Sequence, residues 1–316
     1  MFRKLYNQAT VSGHLEPDGP ILIVQGGAAL DPVAPDLAFV RTVRRGERTV
    51  YLPGSSLKGV LRAHVERILA TEVGPPAAEN PFDTQAPRRQ RAHAERGKEK
   101  VDTRAVFRLS CEADRLFGST EIAGRFRIGD AYPPAPEDDR PGFDAANRTE
   151  IRYGVAIHRA KQSVRFGPFE QEAVTAGRFA FRATLENFEL WMLSLILQAF
   201  QDLDGGLVQL GHAKSRGFGS VRVVGPELAV RWPGADPGRL AGAGAREGDE
   251  DLCRAYGLDA RDAIDLPAGG EAAAKGLFSG YRYAGWDGIN AVLDAVAADP
   301  WRRFVDRAKG EVSDGT

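Results

Sequence analysis

The chain predicts an α+β fold, a ferredoxin-like sheet with helices on one face and long insertions. Two observations carry that expectation. Extended and helical segments follow one another as strands, helix, strands, helix, strand. Stretches poor in apolar anchors then interrupt this order at 75–108 and 133–150.

Residues 3–15 and 20–25 read as strands. Leu5, Ala9, Val11 and Gly13 roughly alternate with polar neighbours, and Ile21-Leu22-Ile23-Val24 is an apolar run. A loop rich in Gly, Ala, Pro and Asp covers 26–37. Extended chain resumes over 39–43 and 49–52 around the turn Arg45-Gly46-Glu47-Arg48. A helix follows, since Leu57, Leu61, Val65 and Ile68 recur at helical spacing until Gly74-Pro75-Pro76 stops it.

Residues 75–108 carry Arg88, Arg89, Arg91, Arg96, Lys98, Lys100, Arg104 and Arg108, and read as a mobile basic insertion. Segments 104–110 and 122–129 read as strands. Ile151 to Ile157 and Phe179 to Leu185 bracket a turn-rich stretch that fits a hairpin. The apolar segment from Phe188 to Leu203 is a buried helix, broken by Gly205-Gly206. A glycine-rich segment, 210–219, leads into a strand at 221–224. Residues 233–250 read as a linker to a helical segment near 286–308. These last two form an acidic helical C-terminal extension, 231–316, beside a main domain of 1–230.

The chain has 316 residues and a net charge of −1, which excludes binding to nucleic acid through a global field. Residues 1–230 hold 31 Lys/Arg and 28 Asp/Glu, a balance of +3; residues 231–316 hold 11 and 15, a balance of −4. Any RNA contact must therefore come from local clusters. No apolar run is long enough to span a membrane. The opening Met-Phe-Arg-Lys-Leu-Tyr lacks a signal-peptide pattern, and Cys111 and Cys253 suit a reducing compartment, so a cytoplasmic location is expected.

Four groups of residues could carry chemistry. Pro53-Gly54-Ser55-Ser56-Leu57-Lys58-Gly59 joins a strand to a helix. Ser55 or Ser56 can cap that helix, whose first amides favour phosphate, and Lys58 and Arg62 add charge one turn apart. The alternative is a capped helix with ordinary surface cations. The segment is not a P-loop, because Val60 follows Gly59 where lysine is required. In the glycine-rich segment, Lys214 and Arg216 could hold phosphate and Phe218 could stack on a base, or Phe218 could lie in the core. Asp31 and Asp36, in the first loop, could act as a general base or hold a metal, or simply solubilise the loop. His64, His93, Cys111 and Asp114 match no strong zinc spacing, and Cys111 and His93 are the candidate zinc ligands among them. His14, His158 and His212 form no recognisable acid–base pair.

Three segments together resemble the RAMP family of CRISPR-associated RNA-binding proteins. They are residues 51–62, Arg115-Leu116-Phe117-Gly118-Ser119 with 125–131, and residues 210–221. The chain is most similar to Cas7-type subunits of type III effectors, especially the type III-D branch, over roughly residues 1–225. The resemblance implies an RRM-like core and a thumb β-hairpin at about 155–178, carrying Arg159, Lys161 and Arg165. It implies a backbone subunit that binds CRISPR RNA and complementary target RNA, beside other Cas7-type copies and Cas5-type and Cas10-type subunits. Asp36-Leu37-Ala38-Phe39-Val40-Arg41 fits the frame of the family's loop, which makes Asp36 the candidate catalyst of target-RNA cleavage and Arg41 an RNA contact. That cleavage uses the target's 2′-OH and a divalent metal, Mg or Mn. Leu37 and Ala38 stand where the family carries Asn-Pro, Asp114 where many members carry a second cysteine, and His158 where relatives often carry Asp. The remaining readings are a non-catalytic Cas7 paralogue and a stand-alone enzyme acting on a phosphorylated small molecule.

Overall fold

The computed structural model describes residues 4–24, 26, 35–80, 83, 86–158, 160 and 162–314. In chain order the elements begin β1 (Gln8–Pro17), β2 (Arg41–Arg44), β3 (Glu47–Val50), α1 (Gly54–Glu72), α2 (Pro87–Arg96), α3 (Thr103–Leu109), α4 (Glu112–Phe117), β4 (Phe126–Ile128) and α5 (Arg140–Asn147). Then come β5 (Thr149–Ile157), β6 (Val164–Val174), β7 (Phe179–Glu186), α6 (Leu190–Asp204), β8 (Val221–Pro233), β9 (Arg239–Ala241), α7 (Ala243–Glu247) and α8 (Glu250–Tyr256). The last are β10 (Ala263–Asp265), β11 (Glu271–Ala272), β12 (Phe278–Ala284), α9 (Gly285–Ala298) and α10 (Pro300–Asp314).

The central sheet is antiparallel in the order β11-β12-β8-β1-β7-β4. Within it, β1-α1-β4-β7-α6-β8 gives the ferredoxin-like order 4-1-3-2, so the α+β, RRM-like expectation holds. Strand periodicity sets the two faces. Phe179, Phe181, Ala183 and Leu185 of β7 are buried, while Ala180 and Arg182 between them are exposed. α1 packs Leu57, Leu61, Val65 and Leu69 into the core at full burial, worth about 1.5–3 kcal/mol each. α6 lies beside α1 and brings Leu193, Ile196, Leu197 and Phe200 into the same core.

Four expectations need correction. The boundary expected at residue 230 falls inside β8, and 231–316 is not a linker and helix alone. β12 pairs with β8 and extends the sheet, and Ile289, Val292, Val296 and Phe304 enter the main core. Polar bonds fasten the same region: Asn7 Nδ2 donates to Ala241 O at 2.9 Å, and Asp262 Oδ2 accepts the Leu190 amide at 2.8 Å at the start of α6. The glycines and prolines that read as a linker sit in the turns between these short elements.

The segment 75–108, expected as a mobile basic insertion, is built as α2 and α3 with a 3₁₀ turn at Pro75–Ala78. Two of its cations find buried carboxylates inside the protein. Arg88 donates to Glu112 at 2.8 Å and Arg89 to Asp114 at 2.9 Å. Residues 104–110, expected as a strand, are mostly α3. Asp102 accepts the Arg104 amide at 2.9 Å, and Phe107 meets Tyr256 of α8 edge-on with centroids 5.8 Å apart.

The hairpin expected at 155–178 begins earlier. β5 and β6 pair from Thr149↔Val174 to Ile157↔Val164. Arg159, Lys161 and Asp31 lie outside the described residues, as does the side chain of Arg165. Among the described residues no helix is long and apolar enough to cross a membrane.

Candidate nucleic-acid interface

The base of the β5–β6 hairpin gathers two of the segments singled out in the sequence. Residues 36–39 run alongside β6. Asp36 Oδ2 accepts the Glu170 amide at 2.9 Å, the Leu37 amide donates to Glu170 O at 3.0 Å, and the Glu172 amide donates to Leu37 O at 3.0 Å. The glycine-rich loop reaches the same strand. Arg216 lies over the ring of Phe169, 5.9 Å from its centroid. Asp36 and Arg216 are both exposed, so a carboxylate and a cation flank Phe169 and Glu170.

Behind this edge sits a buried ion pair. Arg41 donates to both oxygens of Glu172, at 2.7 and 2.5 Å. Glu172 also accepts from the Phe39 amide at 2.9 Å and from Thr149 Oγ1 at 2.7 Å. Burial opposes the charge on Glu172, but these bonds outweigh it and hold the carboxyl at about 2. Arg41, expected to touch RNA, is thus tied into the hairpin base.

Phe218 does not present a stacking ring. It is 6% exposed and packs with Leu22, Ala173 and Leu37. The glycines of this loop serve close approach to protein backbone. A Cβ on Gly211 would lie 2.2 Å from Leu22 O, and one on Gly219 would lie 2.1 Å from Leu210 O, each at positive φ. The loop is fastened by His212 N to Leu22 O at 2.7 Å and Gly219 N to Pro20 O at 2.8 Å.

The start of α1 forms a second region. Neither Ser55 nor Ser56 caps the helix. Pro53 is the N-cap residue, and Asp130, which precedes the Ala131–Leu52 bridge, accepts the Gly54 amide at 2.7 Å. A carboxylate therefore already occupies the positive end of the helix dipole. Gly54 is fixed by packing, since a Cβ there would lie 2.6 Å from Ile128 O. Gly59 is different: a Cβ there would meet nothing within 4 Å.

Lys58 points toward Arg62 and Arg127. Burial first, and then those two charges, lower it below the usual lysine range. It has no ion-pair partner among the described residues. Arg62, by contrast, is committed to Glu66, Asp114 and Gly118 O, each at 2.7 Å.

Beside the helix start, a cavity of about 360 Å³ is lined by Arg44, Arg45, Arg182, Asp130, Asp138 and Tyr132, among others. Arg44 lies 4.4 Å over the Tyr132 ring, which stacks on Tyr51 at 5.7 Å. Residue-by-residue reading missed Arg44, Tyr51, Tyr132 and Arg182. The Arg44-Arg45 doublet just ahead of the 51–62 segment is the signal that could have found them.

Lys214 lies apart from Lys58. Its value is lowered by burial and by Arg67, on the flank of α1 where His64 Nε2 meets Asp202 Oδ2 at 2.5 Å. Lys58 and Arg62 occupy the opposite flank, toward β4 and α4.

The residues do not fit a zinc. Cys111 is buried in the core, and burial with the Asp114 charge pushes its thiol up to about 12. Arg62 and Arg89 take both oxygens of Asp114. His93 pairs with Glu121 at 2.8 Å, and His64 with Asp202. Among the described residues no three His, Cys, Asp or Glu side chains gather, so they form no preassembled divalent-metal site around Asp36 either.

The model of the RAMP superfamily matches residues 20–222. The chain belongs to the RAMP superfamily. This membership covers the hairpin base, the α1 segment and the glycine-rich loop together, and it is compatible with a CRISPR-associated RNA-binding subunit. No curated protein matches the chain. The open face of this RAMP sheet carries Thr10, Ser12, Arg182 and Thr184 at its centre. None of these four positions carries the aromatic side chain on which an RRM stacks bases.

Proposed function

We propose that this chain is a Cas7-type backbone subunit of a type III CRISPR effector, closest to the type III-D branch. It binds CRISPR RNA, holds the guide–target duplex and cleaves target RNA through Asp36. One observation carries the reading: Asp36 is held at the hairpin base by the Glu170 amide, beside the exposed Arg216. One carboxylate oxygen accepts the Glu170 amide, and the residue is exposed. Such a carboxylate can take the proton of a target 2′-OH as O2′ attacks the adjacent phosphorus. The P–O5′ bond breaks, leaving a 2′,3′-cyclic phosphate and a 5′-hydroxyl. The described residues make no preassembled metal site. Sequence choice rests with guide pairing. Other Cas7-type copies and Cas5-type and Cas10-type subunits complete the assembly in this reading.

The same hydrogen bond favours a second reading, in which Asp36 only clamps the hairpin and the subunit is a non-catalytic paralogue. Assembly of the complex with guide RNA and complementary target separates the two. Loss of cleavage in Asp36→Ala with the complex intact supports the first reading. Cleavage at the wild-type rate removes Asp36 as the catalyst, and cleavage by neither form leaves the structural role.

A further inference from the structure

The C-terminal region beyond the matched residues contains a cavity of about 750 Å³, within the size range of small-molecule sites. β9, α7, the chain before β10 and α10 enclose it. Four arginines line it: Arg239, Arg246, Arg261 and Arg303. Asp299 is the one carboxylate in the lining, and four alanines leave the walls low.

The arginines are not equally engaged. Arg303 is paired with Asp299 and Asp259 and donates to Arg261 O at 3.1 Å, although its buried Nε makes no hydrogen bond. Arg239 lies 3.4 Å from Asp265 and Arg261 lies 3.7 Å from Asp259, with both guanidinium side chains largely exposed. Such exposed pairs are weak and exchange readily for a better anion. Arg246 has no carboxylate within ion-pair distance among the described residues. Its one hydrogen bond there runs to Pro233 O at 3.2 Å, and its Nε is buried with no partner. Burial lowers its value below the usual arginine range. Arg246 is half-buried and lies 5.9 Å from the centroid of the Trp232 ring, so an anion in the cavity would supply the acceptor and counterion that the protein does not.

We propose that this cavity binds a phosphate-bearing ligand of mononucleotide size, with the half-buried Arg246 as its anchor and Arg239 and Arg261 at the rim. A phosphate offers three terminal oxygens to converging guanidinium forks, where a single carboxylate matches only one. The volume leaves room for a nucleoside beside the phosphate, and the ligand could be a free nucleotide or the phosphorylated end of an RNA strand. The site is separate from the RNA interface proposed above and stands without it.

Calorimetric titration of the full chain tests this with adenosine monophosphate, a 5′-phosphorylated trinucleotide, its 5′-hydroxyl counterpart and adenosine. Binding of either probe with a terminal phosphate, and of neither the 5′-hydroxyl trinucleotide nor adenosine, is the expected result. Tighter binding of the monophosphate assigns a free nucleotide; tighter binding of the trinucleotide assigns a strand end. Arg246→Gln and Ala245→Glu should each weaken binding at least tenfold. Arg239→Gln, at an exposed position that leaves folding intact, should weaken it about threefold or more. Arg140→Gln, at an exposed position on α5 away from the cavity, should bind as wild type. The proposal is overturned if no phosphorylated probe binds, if adenosine binds equally, if the arginine variants bind as wild type, or if Arg140→Gln weakens binding as much as Arg246→Gln.

Discussion

Asp36 Oδ2 accepts the backbone amide of Glu170 at 2.9 Å, which ties the first loop to the hairpin strand β6. The bond gives this carboxylate a structural duty that can be separated from any chemical one. An asparagine side chain would still present an acceptor oxygen, so Asp36→Asn should keep the Glu170 amide protected from hydrogen exchange while abolishing target cleavage. Asp36→Ala should lose both. Exchange at Glu170 and cleavage of labelled target, measured on the same variants, check the separation.

The Glu172 pair makes the hairpin base acid-sensitive. Its folded carboxyl sits at about 2, below its ordinary 4.5, so the unfolded chain binds the proton first. The stabilisation is complete above about pH 4.5 and is lost as pH falls toward 2. Glu172→Ala should cost about 2–3 kcal/mol at neutral pH, less than for a fully buried pair because Arg41 keeps some water contact. It should also flatten the acid limb of a melting-temperature profile between pH 5 and 2.

At Gly59 the helix gives up stability with no packing reason. Gly59→Ala should raise stability by about 0.5–1 kcal/mol, read from denaturant midpoints. Gly59→Glu should weaken RNA retention, because it places bulk and negative charge beside Lys58. Lys58→Ala should weaken retention and reduce the salt-dependence slope by about 0.7, the value for one contact to a single strand.

The sheet core and the helices α1 and α6 were legible from spacing alone, because burial at three- and four-residue intervals leaves a local trace. The glycine-rich loop was also visible, but its purpose was not. Gly211 and Gly219 answer to Leu22 O and Leu210 O, and no local pattern reveals the Leu22 contact. The charge of 75–108 was misread for the same reason. Arg88 and Arg89 are cancelled by Glu112 and Asp114, more than twenty residues away in sequence. Asp130 caps α1 from 76 residues away, so the adjacent serines looked like the cap.

Those remote pairs should be expensive to break. Asp114→Ala leaves Arg62 and Arg89 without their shared carboxylate in a largely buried site. A loss of about 3–5 kcal/mol in chemical denaturation is expected.

Removal of residues 231–316 should prevent folding. It strips β12 from β8 and removes Asp262 from the start of α6. A truncated chain with a cooperative melt like that of the full chain would show that the C-terminal region is a separable unit.

On the proposed reading this RAMP protein holds CRISPR RNA. RNA extracted from the protein purified in its native assembly, then sequenced, is the decisive readout. A narrow length class containing CRISPR-repeat sequence, reduced by Lys58→Ala, is expected. An assembly free of RNA, or one carrying only mixed fragments without repeat sequence, would contradict it.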